Sequence, residues 1–279
     1  MPAGRDEDGA RAGSMPPPLF DTSVAHIARV YDYWLGGKDN FAADRELAER
    51  FIEADPAVIA GVRANRAFLG RAVHFLATDA GVRQFLDIGT GIPTASNTHE
   101  VAQRAAPSSR VVYVDNDPIV LAHARALLTS DPAGATGYID ADLRDPQTIL
   151  AQAARTLDFT QPVAVMLAGV LHCIPDEDDP PGIVARLMEA VPPGSYLVIS
   201  HPAADIGVEA MAAGLALLNE ALAAPVTFRS HAEVARLFGG LELLEPGLVS
   251  ISQWRSGAGA RPLNAWAGVA RKASPAGPR

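Results

Sequence analysis

The chain has 279 residues, 48% of them hydrophobic and 20% charged, with a formal net charge of −9. That length supports a packed core in one large α/β domain or two small ones, and the acidic balance argues against a nucleic-acid backbone as the main partner. One cysteine, Cys173, excludes an intrachain disulfide, no Cys/His cluster has metal-ligand spacing, and no apolar run reaches the roughly 18 residues that span a membrane.

In chain order, residues 1–19 are acidic and rich in Gly and Pro, ending in Pro16-Pro17-Pro18, and read as a disordered leader without the apolar centre of a signal peptide. The expected location is the cytoplasm. Asp21 to Ser23 offer helix caps, and Val24, Ile27, Ala28, Tyr31, Trp34 and Leu35 recur at helical spacing until Gly36-Gly37 stops the run. A second short helix is expected over Ala42 to Glu53. A third starts at Asp55-Pro56, with Val58, Val62, Phe68, Leu69, Val73 and Leu76 on its buried side. Arg63, Asn65 and Arg66 place three polar groups on it, and an arginine there suits either a ligand carboxylate or a structural ion pair.

The run Val82 to Ile88 predicts a buried strand, followed at once by Gly89-Thr90-Gly91 and by Pro93, which is preset for a first helical position. Strand, glycine turn and helix bring backbone close to a nucleotide-like ligand, although a glycine pair alone is equally a plain tight turn. A second strand, Val111 to Val114, ends in Asp115-Asn116-Asp117, with Pro118 opening the next helix. An acid at that place accepts hydrogen bonds from ribose hydroxyls. The dinucleotide fingerprint wants a third glycine where this chain has Thr94, which argues against NAD. S-adenosylmethionine (SAM) has ribose and adenine but no phosphate, and its sulfonium and ammonium suit a loop flanked by Asp87. After a third strand ending near Tyr138-Ile139, Asp142 is placed to accept from an adenine amine and the Leu143 N–H to reach a ring nitrogen. Taken alone, Asp142 reads as a solvated loop acid.

These stretches resemble the class I SAM-dependent methyltransferases, and among them a bacterial S-adenosyl methyltransferase family formerly catalogued as a domain of unknown function. The resemblance rests on Arg29-Val30-Tyr31-Asp32-Tyr33-Trp34-Leu35-Gly36-Gly37-Lys38-Asp39-Asn40-Phe41, on Arg63 to Phe68, and on the glycine stretch, and extends over about residues 20–272. It implies a Rossmann-like α/β fold with a seven-stranded sheet, mostly parallel with one antiparallel edge strand. It further implies a helical lid over residues 20–78, a methyltransferase core over 79–272, and SAM as cofactor. Asp87, Gly89, Thr90, Gly91, Asp115, Asn116, Asp142, Leu143 and Ala168 are the expected cofactor contacts in the core. Tyr31, Lys38, Asn40 and Arg66 are the expected contacts from the lid. Without the resemblance, Gly36-Gly37 is a helix stop and Lys38 a solvated lysine.

Beyond Val82, strand and helix alternate, as in a parallel sheet covered on both faces. Helices are expected from Pro93 to about Ala106, Pro118 to Thr129, Asp145-Pro146 to Thr156 and Ile183 to Val191, with strands at Val163 to Leu167 and Gly194 to Ser200. Residues 202–222 read as an Ala/Leu-rich helix, and Ser230-His231-Ala232-Glu233 as a capping box. Leu241 to Leu244, with Val249 to Trp254 extending it or lying beside it, and Ala265 to Ala270 close the sheet, and 273–279 form a tail.

Ligands bind at the C-terminal ends of strands in such sheets. After the fourth strand comes Ala168-Gly169-Val170-Leu171-His172-Cys173, where His172 is the candidate general base, with a packed structural histidine as the alternative. Cys173 reads as a small apolar residue and His201 as a weaker rim histidine. The Asn-Pro-Pro-Tyr run of amino-DNA methyltransferases is absent there. Transfer from an activated sulfonium needs alignment more than acid–base chemistry, so the cofactor positions outrank any catalytic residue. The expected activity is methyl transfer from SAM to an O, N or C atom of a small molecule. A SAM-binding regulatory or sensor protein is the first alternative and an NAD-dependent oxidoreductase the second. Neither nucleic acid nor membrane is expected as partner, and a homo-oligomer stays open.

Overall fold

A computed structural model describes residues 21–93, 96–127, 129–257 and 259–274. The leader over 1–19, Thr94 and the end of the tail lie outside these. Five strands are parallel: β1 (Gln84–Ile88), β2 (Arg110–Asp115), β3 (Ala135–Asp140), β4 (Ala164–Ala168) and β5 (Tyr196–Pro202). Three more, β6 (Glu242–Leu243), β7 (Val249–Ser250) and β8 (Ala265–Arg271), complete the sheet, with β8 antiparallel to β5. The order is β3-β2-β1-β4-β5-β8-β6, and β7 also pairs with β8. Strand order therefore reverses between β1 and β4, which opens a crevice at their C-terminal ends.

The mostly parallel sheet with an antiparallel edge is the expected one, but its last edge is divided. β6 lies beside Arg271 and Ala270, β7 beside Ala267 and Trp266. Between them a turn closes with the Gly247 N–H on the Leu244 carbonyl, and Pro246 has no N–H to offer a ladder. The strand anticipated to Trp254 stops at Ser250. Trp254 is instead buried edge-on against Phe68, ring centroids 5.4 Å apart.

Alternate side chains of each strand enter opposite cores. Leu86 and Ile88 pack with Ile149, Ile183 and Leu187 below α6 (Pro146–Ala153) and α7 (Pro180–Glu189). Phe85 and Met166 pack with Phe68, Leu76 and Trp254 below α3 (Val58–Thr78). A third cluster joins α1 (Ile27–Trp34), α2 (Ala42–Ala54) and α8 (Val208–Ala221) through Val30, Trp34, Leu47, Phe51, Met211 and Leu218. The N-terminal helices thus share one apolar core with a helix inserted after β5.

Two local expectations changed. Pro93 does not open a helix: α4 (Thr98–Ala105) starts at Asn97, whose capping box with Glu100 satisfies the first backbone donors better than a proline can. Pro118 does open α5 (Pro118–Leu127), and Asp145 caps α6 through the Thr148 N–H. The short α9 (His231–Arg236) starts at the expected Ser230–Glu233 box.

Candidate cofactor and acceptor site

A cavity of about 460 Å³ lies over the C-terminal ends of β1, β2, β4 and β5, roofed by α1, α2, α3 and α8. That is within the roughly 300–1,000 Å³ of small-molecule sites. Its first wall is the glycine turn. Gly89 and Gly91 have φ of +72° and +63°, and a Cβ on Gly89 would overlap Val170. The Gly91 N–H donates to Asp115 Oδ2 at 3.0 Å and the Asp117 N–H to Asp115 Oδ1 at 2.9 Å. Asp115 is buried, which raises its pKa, and each oxygen keeps a lone pair for a ligand hydroxyl. Because the Gly91 N–H is spent on Asp115, the turn is not a free anion nest, which fits SAM better than a pyrophosphate.

Asp87 ends β1 and accepts from Thr98 Oγ1 at 2.6 Å. Burial pushes its pKa up to about 6, against the pull of that hydrogen bond and of the Arg66 charge. Arg66 lines the same end and donates to the Ser96 carbonyl at 3.2 Å. Asp142, after β3, receives Arg144 Nη1 at 3.1 Å, the Arg144 N–H at 2.8 Å and Asn116 Nδ2 at 3.3 Å. Leu143 is buried beside it, and both line the cavity, as do Asn116, Thr90 and Ala168.

Tyr31 reaches the cavity from α1. Its hydroxyl donates to the Val62 carbonyl at 3.2 Å and accepts from Asn65 Nδ2 at 2.9 Å, while Asn65 Oδ1 accepts from Ser200 Oγ at 2.7 Å. The chain of bonds ties the helical layer to the end of β5. Lys38 and Asn40 are not brought to the cavity. Asn40 is buried and donates to Asp32 Oδ2 at 2.8 Å, which also takes the Asp39 N–H at 2.9 Å. A Cβ on Gly37 would overlap that carboxylate. The Gly-Gly-Lys-Asp-Asn stretch is therefore a clasp around Asp32 in this structure.

Behind β4, His172 and His201 meet edge to face, centroids 6.3 Å apart. Arg229, 4% exposed, donates to the carbonyls of Leu171 (2.9 Å) and Ile174 (2.8 Å), to Asp176 Oδ1 (2.7 Å) and to His201 Nε2 (3.0 Å). His201 Nε2 is therefore an acceptor, and its Nδ1 carries the proton toward the Pro202 carbonyl at 2.9 Å. Burial, then the Arg229 charge, pulls the His172 pKa down to about 4. Burial also takes His201 down to about 3 and Cys173 up to about 12. His172 Nδ1 is buried without a hydrogen-bond partner among the described residues. No sequence signal distinguished Arg229 or Asp55, a buried carboxylate on the cavity wall, because their partners lie far away along the chain. Among the described residues no His/Cys/Asp/Glu group could hold a metal, and no helix is long and apolar enough to cross a membrane.

Two solved structures are similar over almost their whole length. A DUF574 family protein from Streptomyces avermitilis is 46% identical, covering 90% of this chain and 99% of that one, with a TM-score of 0.87. A putative methyltransferase from Thermobifida fusca is 43% identical, covering 93% and 99%, with a TM-score of 0.85. The mitomycin 7-O-methyltransferase MmcR, 18% identical over 91% of this chain and 74% of its own, shares the fold with a TM-score of 0.50. No curated protein matches significantly. Residues 14–273 match the S-adenosyl methyltransferase family, and the chain belongs to that family, with SAM as its cofactor.

Proposed function

We propose that this methyltransferase transfers the methyl group of SAM to a small, mainly apolar acceptor enclosed between the sheet and the helical layer. The observation that carries the reading is one cavity of about 460 Å³ lined both by Asp115 and Leu143 and by Trp34, Phe51 and Phe228. In this reading residues 20–78 form a lid on a core of 79–272, and α8 belongs to the roof. Asp115 accepts from the ribose, Asp142 and Leu143 meet the adenine, and Gly89 to Gly91 with Ala168 face the amino-acid end, flanked by Asp87 and Arg66. The cofactor supplies an activated methyl on a sulfonium, so these residues need only hold and align. Tyr31 closes the cavity from above, and neutral His172 stands ready to take a proton from the acceptor.

Calorimetric titration with SAM, S-adenosylhomocysteine and NAD tests the cofactor assignment; selective NAD binding would overturn it. Asp115→Ala is expected to weaken SAM binding by about 1–3 kcal/mol, the cost of unpaired buried hydrogen-bonding groups. Unchanged affinity would remove Asp115 from the ribose. If His172 takes the proton, the acid limb of kcat/KM lies near pH 4, not near the ordinary imidazole value of about 6.5. A limb centred on the ordinary value would assign the proton to another group.

A further inference from the structure

We propose that the acceptor is a hydrophobic amine whose ammonium is held by Asp55, at the end of the cavity remote from the cofactor turn; this rests on the methyltransferase reading above. The sheet order sets the distance. The glycine turn follows β1, and β4, β5 and β8 lie successively further from β2. Asp55 sits over the far end: its Oδ2 accepts from Asn264 Nδ2 at 3.1 Å, and Asn264 directly precedes β8, where its carbonyl takes the Ala203 N–H at 3.0 Å. Trp34, Phe51, Met211 and Phe228 are among the apolar side chains that line the same cavity.

Asp55 is 4% exposed and lines the cavity. Its Oδ1 accepts from the Ala57 N–H at 3.0 Å, so both known donors are neutral amides. Among the described residues it forms no ion pair. A carboxylate withdrawn from water is costly unless a cation meets it, and each oxygen retains a lone pair. The turn into α3, closed by the Ala57 N–H, uses only one of the two oxygens. The arginines that line the cavity, Arg66 and Arg144, stand at the cofactor end beside Asp87 and Asp142, and Arg229 is consumed by two carbonyls, Asp176 and His201, so among the described residues no arginine or lysine serves an anion at the Asp55 end. The near end offers an independent mark of a ligand: the buried His172 Nδ1, which none of the described residues satisfies. An elongated molecule with a hydrogen-bonding group to be methylated at one end and an ammonium at the other complements both.

The test titrates protein saturated with S-adenosylhomocysteine with 4-phenylbutylamine, 4-phenylbutan-1-ol and 4-phenylbutyrate, which share one apolar body. The amine is expected to bind roughly tenfold or more tighter than the alcohol, the usual scale of a charge-assisted bond, and the carboxylate weakest. Asp55→Asn keeps the turn before α3, since an asparagine side-chain oxygen accepts from the Ala57 N–H as the aspartate does and Asn264 can turn its amide to match. It should keep S-adenosylhomocysteine affinity and lose the preference for the amine. Alcohol or carboxylate binding as tightly as amine, an amine that does not bind at millimolar concentration, or a preference that survives in Asp55→Asn would each overturn the proposal while leaving the cofactor reading standing. Failure of S-adenosylhomocysteine itself to bind would overturn both.

Discussion

Arg229→Met is expected to lower folding stability by about 2–4 kcal/mol, because buried acceptors left without a donor cost about 1–3 kcal/mol each, while Asp176, whose side chain is 75% exposed, loses little. The guanidinium is 4% exposed and satisfies the carbonyls of Leu171 and Ile174 on either side of His172. Methionine matches its length but donates nothing, so two carbonyls and His201 Nε2 lose their donor and Asp176 its cation. The urea midpoint checks this, and a midpoint within experimental error of wild type would show that water substitutes freely there. The charge also bears on pH. The unfolded imidazoles take protons near the ordinary value of about 6.5, while the folded His172 and His201 do so only near 4 and 3. The unfolded state therefore binds more protons in that interval, and stability falls as pH drops from 6.5 toward 4. Asp87, raised to about 6, works in the opposite direction below that pH, as do Asp115 and Asp32, which burial also raises, so the net acid loss is smaller than the two imidazoles alone would give. Without the Arg229 charge both imidazole values rise, and the acid loss should flatten.

Gly89→Ala is the second large effect, expected to cost about 2–5 kcal/mol and to depress SAM affinity by more than tenfold. A left-handed backbone costs an L-residue about 1–2 kcal/mol, and Gly89 sits at φ +72°. The new methyl would also overlap Val170, and overpacking adds about 1–3 kcal/mol. Relief requires moving either the turn beside Asp115 or the segment leading to His172, the two sides of the proposed site. Gly91→Ala is the internal control. It shares the positive φ, but among the described residues, its chain neighbours aside, nothing lies within 4 Å of the added Cβ. Its stability should fall by the backbone term alone, and any larger loss of SAM affinity would report the cofactor itself. Denaturation and calorimetry on both variants separate these contributions. Equal stability losses would contradict the Val170 overlap.

What could be read along the chain was local. Val111 to Asp115 announces a buried strand ending in acid through its apolar run, and Pro118, Asp145 and Ser230 start helices through bonds to residues at most four positions away. The same logic failed at Pro93, where a competing cap at Asn97, four positions further along, took over the start of α4. Lys38 and Asn40 look like ligand groups in sequence because they are polar and follow two glycines. Folding turns Asn40 inward to Asp32, a partner eight residues back, so its amide serves the clasp.

By itself the sequence determined the α/β class, the glycine turn after β1 and the acid after β2, because each depends on periodicity, turn chemistry or proline within a few residues. Only the tertiary structure decided that α8 roofs the cavity with α1 and α2, that Arg229 brackets His172, and that Asp55 meets Asn264 across 209 residues. The reason is physical: a buried charge or an apolar face is satisfied by whatever the fold brings within hydrogen-bonding or packing distance, and sequence separation places no limit on that partner.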